Sequence, residues 1–594
     1  MVPGDFVDHF TDLAGDRAEH DAVVLIRSRG DEYLSESISY AELDRAARSI
    51  AVWLQSQCSR GDRILLLYPT DLEFVRVFLG CLYAGLVPVP APVPDSGRHH
   101  LMRATGVALD SDARIVLTNS QSLVAVSDWV TQDGLDDLSC VATDKVELDD
   151  AAVWARQDGI GSGTTTLLQY TSGSTSDPKG VMITHGNLLH NLQMIRRTFG
   201  LTETDKFCSW LPLFNDIGLV EMLLTPLFLG ATVVLMPPGD FFERPYRWLE
   251  IIDRCDIQFS SAPSCAYDLC VGRISDEQVP GLDLSRWRHA CCNGTDPVDP
   301  GALGRFVARF APTGFHRSAW RISYGMTETT LLVSGSGPGA APVVEHFDVH
   351  SLGRGVIAPA TLDASARSLV GSGSPCDLDV RIVEPRTAEV LADGQLGEVW
   401  IRGGSVAAGY WRKKVETERT FNAVTATGEV NFLRTGDLGG FHSGQLYVVG
   451  RIDEVLVVRG RYFYPNDIEH ETRLSDPPSF AGLSGSVFTV PAPQSEIVVL
   501  HELQERAAEG DLASIAGQLR SVLCRHLGVR VENIVFVTPG KVRKTITSKV
   551  NRSLMRELFL ADALDPVYEQ LGVEVSRRYR PTVSPLASRQ TDAR

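Results

Sequence analysis

A chain of 594 residues is too long for one ordinary core, so two or more domains are expected. Hydrophobic residues make up 44% and charged residues 22%, the mix of a soluble globular protein. The formal net charge of −18 argues against a general nucleic-acid grip, which needs clustered Lys and Arg, though it leaves room for a local basic patch.

The N-terminus, MVPGDFVDHFTDL, carries Asp5 and Asp8 and lacks the basic region and apolar core of a signal peptide. Tyr40 to Gln55 has helical spacing, with Leu43, Ala46, Ile50 and Leu54 on one stripe and Ser39 as the start region. Arg63 to Tyr68 is a short apolar run, as in a buried parallel strand; Leu72 to Ala84 returns to helix. Val87 to Val93 alternates with proline and must be extended; Ala113 to Thr118 is again a strand. The run Met222 to Met236 is broken by Pro226 and Gly230 and is shorter than the ~20 residues that span a bilayer. It reads as a buried helix, a turn and a buried strand, so no membrane span is expected. Thr232 to Leu235, Ile257 to Ser260 and His289 to Asn293 are further strands. Strands alternating with amphipathic helices give an α/β layered fold with a parallel sheet. Asp377 to Gly450 is strand-rich, with turn signals at Asp393-Gly394 and Ser443-Gly444, and predicts a smaller β subdomain. A compact α+β pattern follows to about Phe559. The eleven cysteines include no CxxC pair, and adjacent Cys291 and Cys292 suit neither a zinc knuckle nor an easy disulfide. They read as reduced thiols of a cytoplasmic protein.

Chemistry concentrates in ordered motifs. Tyr170 to Gly180, YTSGSTSDPKG, joins a strand to a strand-like segment that enters a helix. Its glycine, hydroxyls and backbone N–H groups can surround phosphate oxygens, with Lys179 adding charge. Such Ser/Thr/Gly clusters also make plain surface turns, and the Walker A spacing is absent, so composition leaves both readings open. In YGMTET, Tyr324 to Thr329, an aromatic ring can stack on a purine and Glu328 can bind Mg²⁺. In RTGDLG, Arg434 to Gly439, Asp437 is either a turn aspartate or a carboxylate able to accept two hydroxyls.

Together with LLQYTSGSTSDPKGVMITHGNLLHN, these motifs resemble the adenylate-forming superfamily, and within it the fatty acyl-AMP ligases, from about Phe6 to about Leu560. The resemblance implies ATP and Mg²⁺ as cofactors. It places phosphates at Thr171, Ser172, Gly173, Ser174, Thr175 and Lys179, and adenine at Asn293, Gly294, Thr295, Tyr324, Gly325, Met326 and Thr327. It gives Glu328 the metal, Asp437 and Arg451 the ribose, and Lys549, in GKVRKTITSKVNR, the catalytic step. A substrate gate falls at Asn215 and Asp216, where the subfamily carries His-Asp; Thr295-Asp296 and Ser548 are further departures from the family pattern. The hinge falls at Asp453. The implied domains are a large one over 1–451, with the β subdomain at about 377–450, a small mobile α+β lid over 452–576, and a flexible tail over 577–594.

The long stretch between Glu328 and Asp437, including VVEHFDVHSLGRGVIAPATLDASARSLVGSGSP, resembles the subfamily's extra segment in the large domain, which hinders CoA-dependent chemistry. The expected reaction is adenylation of a fatty or related acid, then transfer to the phosphopantetheine thiol of a separate acyl carrier protein. The alternatives are an acyl-CoA ligase, or adenylation of an aryl acid, an amino acid or an inorganic oxyanion such as nitrite. Asn215 keeps the choice of acid open.

Overall fold

The computed structural model describes residues 4–580 except 31, 95–97, 136, 171–177, 294–297, 361–365, 459–460, 481, 493, 505–510 and 545–549. By their contacts the described residues form two units. Unit 1 takes the chain up to residue 345 and then 368–449; unit 2 takes 346–367 and everything from Gly450.

In chain order the strands of unit 1 begin with Asp21–Arg29 (β1), Glu32–Ser39 (β2), Arg63–Leu66 (β3), Val87–Pro90 (β4), Ile115–Thr118 (β5), Ser139–Ala142 (β6), Thr165–Tyr170 (β7) and Gly180–Thr184 (β8). Phe207–Ser209 (β9), Val233–Leu235 (β10), Phe259–Ala262 (β11), His289–Asn293 (β12), Trp320–Gly325 (β13) and Leu332–Gly335 (β14) follow. The last group is Val344–Asp348 (β15), Ala366–Val370 (β16), Ser374–Pro375 (β17), Asp379–Val383 (β18), Gly397–Arg402 (β19), Leu433–His442 (β20) and Gln445–Arg451 (β21), of which β15, β16 and β21 run across the unit borders.

The main sheet has nine strands in the order β17-β14-β13-β12-β11-β9-β10-β1-β2. Its centre, from β13 to β1, is parallel, and antiparallel strands close both sides. A second sheet, β4-β3-β5-β6, is wholly parallel. Its edge strand β4 carries Pro88 and Pro90, which a central strand could not accept because each lacks a ladder donor. The β-rich subdomain is β18-β19-β20-β21, with neighbours in chain order. These sheets bear out the layered α/β fold expected from the sequence.

Local signals explain the helices that cover them. Ser39 caps Tyr40–Gln57 in a full capping box with Glu42. The buried stripe of that helix runs through Leu43, Ala47, Ile50 and Leu54, so Ala47 takes the place expected of Ala46. The Met222 to Met236 region is a buried π-helical and α-helical run, Ile217–Leu224 and Thr225–Leu229, then a turn at Gly230 with φ +75° and strand β10. Among the described residues, no helix is long and apolar enough to cross a membrane.

In unit 2 the strands Gly485–Ala492, Gln494–Glu502, Asn533–Val537 and Tyr568–Gln570 form one sheet in that order. The helices Pro465–Ser475 and Leu512–Leu527 contribute Ile468, Leu519, Leu523 and Leu527 to its core. Residues 346–367 group with unit 2: Val349 packs into its core, and Arg367 pairs with Asp467 at 2.8 Å and lies over the Tyr464 ring. The described chain continues in helix past Arg577. The helix Val573–Tyr579 runs through that point, and Arg580 beyond it pairs with Glu569 at 2.8 Å and Asp562 at 2.9 Å. The polar composition of that stretch reflects an amphipathic surface helix seated on Val575.

Candidate active site

The neck of the Ser/Thr/Gly loop is well defined. Strands β7 and β8 are antiparallel, and Tyr170 faces Gly180 across them. The Tyr170 hydroxyl donates to Asp110 at 2.7 Å, and Lys413 stands 3.4 Å from the same carboxylate. Gly180 is required here, because a Cβ at that position would lie 2.8 Å from the Tyr170 ring. Thr171, Ser172, Gly173, Ser174 and Thr175 lie outside the described residues.

Lys179, at the far end of the loop, is placed by the pairing of β8 with the segment around Tyr410. Met182 N–H donates to Gly409 and Trp411 N–H donates to Gly180. The Lys179 ammonium therefore stands 5.3 Å from the centre of the Tyr410 ring. The Tyr410 hydroxyl in turn donates to Glu328 Oε1 at 2.8 Å. Lys179 and Glu328, predicted for phosphate and metal, are thus linked through one tyrosine that sequence reasoning missed. Its run, AGYW, carries no chemistry of its own; only the long-range pairing reveals it.

Glu328 sits on a single turn, Thr327–Thr329, that follows β13. Gly325 enters this turn under tight constraint, since a Cβ there would lie 1.9 Å from the Leu331 carbonyl oxygen. Met326 is half-buried and donates its N–H to that same carbonyl. Asn191, on the helix His185–Phe199, clamps the far side of the turn with three hydrogen bonds to Thr329 and Leu332. The Thr327 hydroxyl donates to Asp216 at 2.7 Å, which joins the gate segment to the adenine segment.

Asp216 and Asn215 act on the same backbone group. Both side chains accept the Ile217 N–H, at 2.9 and 3.0 Å, and so start the π-helical run Ile217–Leu224. Half-buried Arg103 feels the charge of Asp216 and donates to the Tyr170 carbonyl at 3.3 Å.

Tyr324 is buried, and its hydroxyl donates to Asp437 at 2.6 Å. The ring predicted for stacking and the carboxylate predicted for ribose are therefore bonded partners 113 residues apart. Asp437 lies within strand β20, not in a turn; Gly436, with φ +72°, absorbs the local irregularity, and the β19–β20 register shifts nearby. Asn293 ends β12 and points its amide at Glu221, Ser261 and Ser323. Gly294, Thr295 and Asp296 lie outside the described residues.

Within unit 2, Arg451 and Asp453 form an ion pair at 3.1 Å. Lys549 and Ser548 are outside the described residues, but the chain on either side is fixed. Asn551 N–H donates to the Arg543 carbonyl at 2.9 Å, and Arg552 is buried against Glu454 and Glu469 at 2.7 and 2.8 Å.

Glu328 is a single carboxylate, and the described residues contain no group of three or more His, Cys, Asp or Glu arranged to hold a metal. That donor set suits a hard cation that completes its shell with phosphate oxygens and water, as Mg²⁺ does, and does not suit zinc.

The sequence profile of the AMP-binding enzymes matches residues 13–411. The chain is 38% identical over 542 residues to a medium-chain-fatty-acid–[acyl-carrier-protein] ligase, JamA, of Moorena producens, covering 89% of this chain and 91% of that one. It is 34% identical over 574 residues to a 4-hydroxyphenylalkanoate adenylyltransferase of Mycobacterium tuberculosis, covering 93% and 88%. Its fold matches that of a fatty acyl-adenylate ligase from Legionella pneumophila, solved with acyl adenylate and pyrophosphate, with a TM-score of 0.73 at 30% identity over 96% of this chain and 98% of that one.

Proposed function

The chain belongs to the AMP-binding enzymes, the adenylate-forming family, and from that membership we propose that it activates a fatty or related acyl acid with ATP and loads an acyl carrier protein. The observation that carries the ATP half is the bond between Tyr324 and Asp437, which unites the adenine and ribose candidates.

In the first step a carboxylate oxygen of the acid attacks the α-phosphorus of ATP. The bond from that phosphorus to the β-phosphate oxygen breaks, and acyl-AMP and pyrophosphate result. Lys179 and the loop Thr171 to Thr175 hold the phosphates, and Lys549 offsets charge at the reacting phosphorus. Glu328, oriented by Tyr410, would hold Mg²⁺, which supplies charge compensation on the phosphates when bound. Asp437 and Arg451 receive the ribose. Asn215 and Asp216 shape the entrance for the acid. Most of the rate comes from orientation and fixed electrostatics, since the protein itself need not be modified.

In the second step the phosphopantetheine thiol of the carrier gives its proton to solvent. Its sulfur attacks the acyl carbon, and the carbon–oxygen bond to AMP breaks. Asp453, beside the unit boundary at Gly450, is the hinge about which the C-terminal unit turns to exchange the two steps. The eleven cysteines, none of them in a disulfide, suit a reducing compartment, the cytoplasm.

The test is pyrophosphate release by the purified full chain across fatty, aryl, amino and inorganic acids, with carrier protein and CoA compared as acceptors. The expected result is release with acyl acids and thioester formed on the carrier. Efficient acyl-CoA formation, or release unchanged in Lys549→Ala, would overturn the reading.

A further inference from the structure

Glu221 is a carboxyl group only 1% exposed, on the π-helical stretch behind the strand ends that carry the nucleotide candidates. Its Oε2 accepts Asn293 Nδ2 at 2.7 Å, and the Ser261 hydroxyl bonds to the same carboxyl. Asn293 Nδ2 also donates to Ser261 Oγ at 3.0 Å, while Asn293 Oδ1 accepts the Ser323 hydroxyl at 2.5 Å. Ser261, Asn293 and Ser323 lie on adjacent parallel strands β11, β12 and β13, and Asn293 and Ser323 are register partners.

The chemistry of this cluster is directional. An asparagine amide can turn over and exchange its oxygen and nitrogen at almost no cost in shape. Once ionised, Glu221 only accepts, so in that form it compels the nitrogen to face it and the oxygen to face Ser323. Asn293 is the last residue of β12, directly before Gly294 and Thr295 in the sequence. Ser323 immediately precedes Tyr324, whose hydroxyl reaches Asp437. One carboxyl therefore fixes the base of both segments predicted to enclose adenine. The charge acting on it is the repulsive one of Asp216, so it is not held there by an ion pair, and burial pushes it up to about 7.

We propose that Glu221 is a positioning residue for the nucleotide, acting through Asn293 and Ser323 to set the ends of β12 and β13 that carry adenine candidates; this rests on the adenylation reading above. Ligands sit outside the carboxyl ends of strands in open parallel sheets, and this cluster lies at those ends of β11 to β13.

The experiment uses the full chain, measuring ATP binding by calorimetry without acid, and KM for ATP and for the acid by pyrophosphate release. Glu221→Leu keeps the volume and removes the acceptor. It is expected to weaken ATP binding and raise KM for ATP about tenfold, with KM for the acid within about twofold, as loss of one charge-assisted hydrogen bond implies. Glu221→Gln retains an acceptor for Asn293 and is expected to stay within about threefold of wild type. Ser261→Ala should raise KM for ATP about threefold by loosening the same carboxyl, and it decides the question with Glu221→Gln where Glu221→Leu does not fold. A rise in KM for the acid with ATP unaffected, or ATP binding by Glu221→Leu and Ser261→Ala equal to that of wild type, overturns the proposal. A wild-type chain that binds no ATP overturns the adenylation reading itself.

Discussion

Replacing Asn191 by aspartate, its closest match in shape, is predicted to do more damage than removing the side chain. Asn191 is fully buried, and its Nδ2 donates to the carbonyls of Thr329 and Leu332 at 3.2 and 2.9 Å, while its Oδ1 accepts the Leu332 N–H at 3.1 Å. The turn it clamps contains Thr330 at φ +69°, a conformation that a β-branched residue adopts only under constraint. Asn191→Ala loses three hydrogen bonds at about 1 kcal/mol each, so about 3 kcal/mol. Asn191→Asp keeps the acceptor but sets an oxygen against two carbonyl oxygens in a dry site, where burial and the missing donor make the ionised form costly. Its penalty at pH 8 is expected to reach about 4 kcal/mol or more. The aspartyl pKa should be raised in the folded state, so the variant's stability should be regained as pH falls below that pKa. Urea unfolding followed by tryptophan fluorescence gives the order of the three proteins. Hydrogen exchange at residues 327–332 localises the effect, since two units need not unfold together. Pyrophosphate release should fall about tenfold in either variant because Glu328 rides on the same turn. Aspartate equal to or more stable than alanine at pH 8 would refute the reasoning.

Glu221 gives a pH signature with a definite sign. Its pKa is about 7 in the fold against an ordinary 4.5, so the unfolded chain loses the proton first as pH rises. Stability from this group is present below pH 4.5 and is lost by pH 7 to 8, a change of about 3 kcal/mol; Glu221→Gln should lack that slope, and parallel urea midpoints against pH would count against it. Gly180→Ala drives a methyl into the Tyr170 ring, which Asp110 holds in place, and should cost about 1–3 kcal/mol and raise KM for ATP. Adding Tyr170→Phe frees the ring to tilt and should recover part of the loss. Tyr410→Phe keeps the ring against Lys179 and removes the hydroxyl on Glu328, so half-saturating Mg²⁺ should rise about tenfold in pyrophosphate release. An unchanged Mg²⁺ dependence would remove Tyr410 from the site.

What the sequence made legible was local. Ser39 announced a helix start, and the proline alternation at Val87 to Val93 announced an extended segment. The order of the motifs indicated which segments a nucleotide would bring together. Tyr410, Asn191 and Glu221 were not legible as site residues, because each acts through a partner 72 to 141 residues away. Periodicity reports the face a residue occupies and carries no information on what faces it. The TGD sequence left a turn open as one reading. Its turn chemistry is used up in an irregularity inside a strand, so a local signal for reversal marks a continuous element. The helix Val573–Tyr579 was not legible either, because a short amphipathic surface helix has the composition of a tail.

The excursion of residues 346–367 has a consequence for how the chain is made. Val349 and Leu352 are synthesised well before Phe463, Ile468 and Leu527, beside which they lie in the finished protein. At ribosomal speeds of ~5–20 residues per second, these side chains wait roughly 5 to 20 s for the first of their neighbours to emerge. During that interval the nascent polypeptide displays Val349 and Leu352 without these later neighbours. Stop codons or protease cuts just after Val449 would make the exposure permanent, so fragments ending there should be chaperone clients and not clean domains.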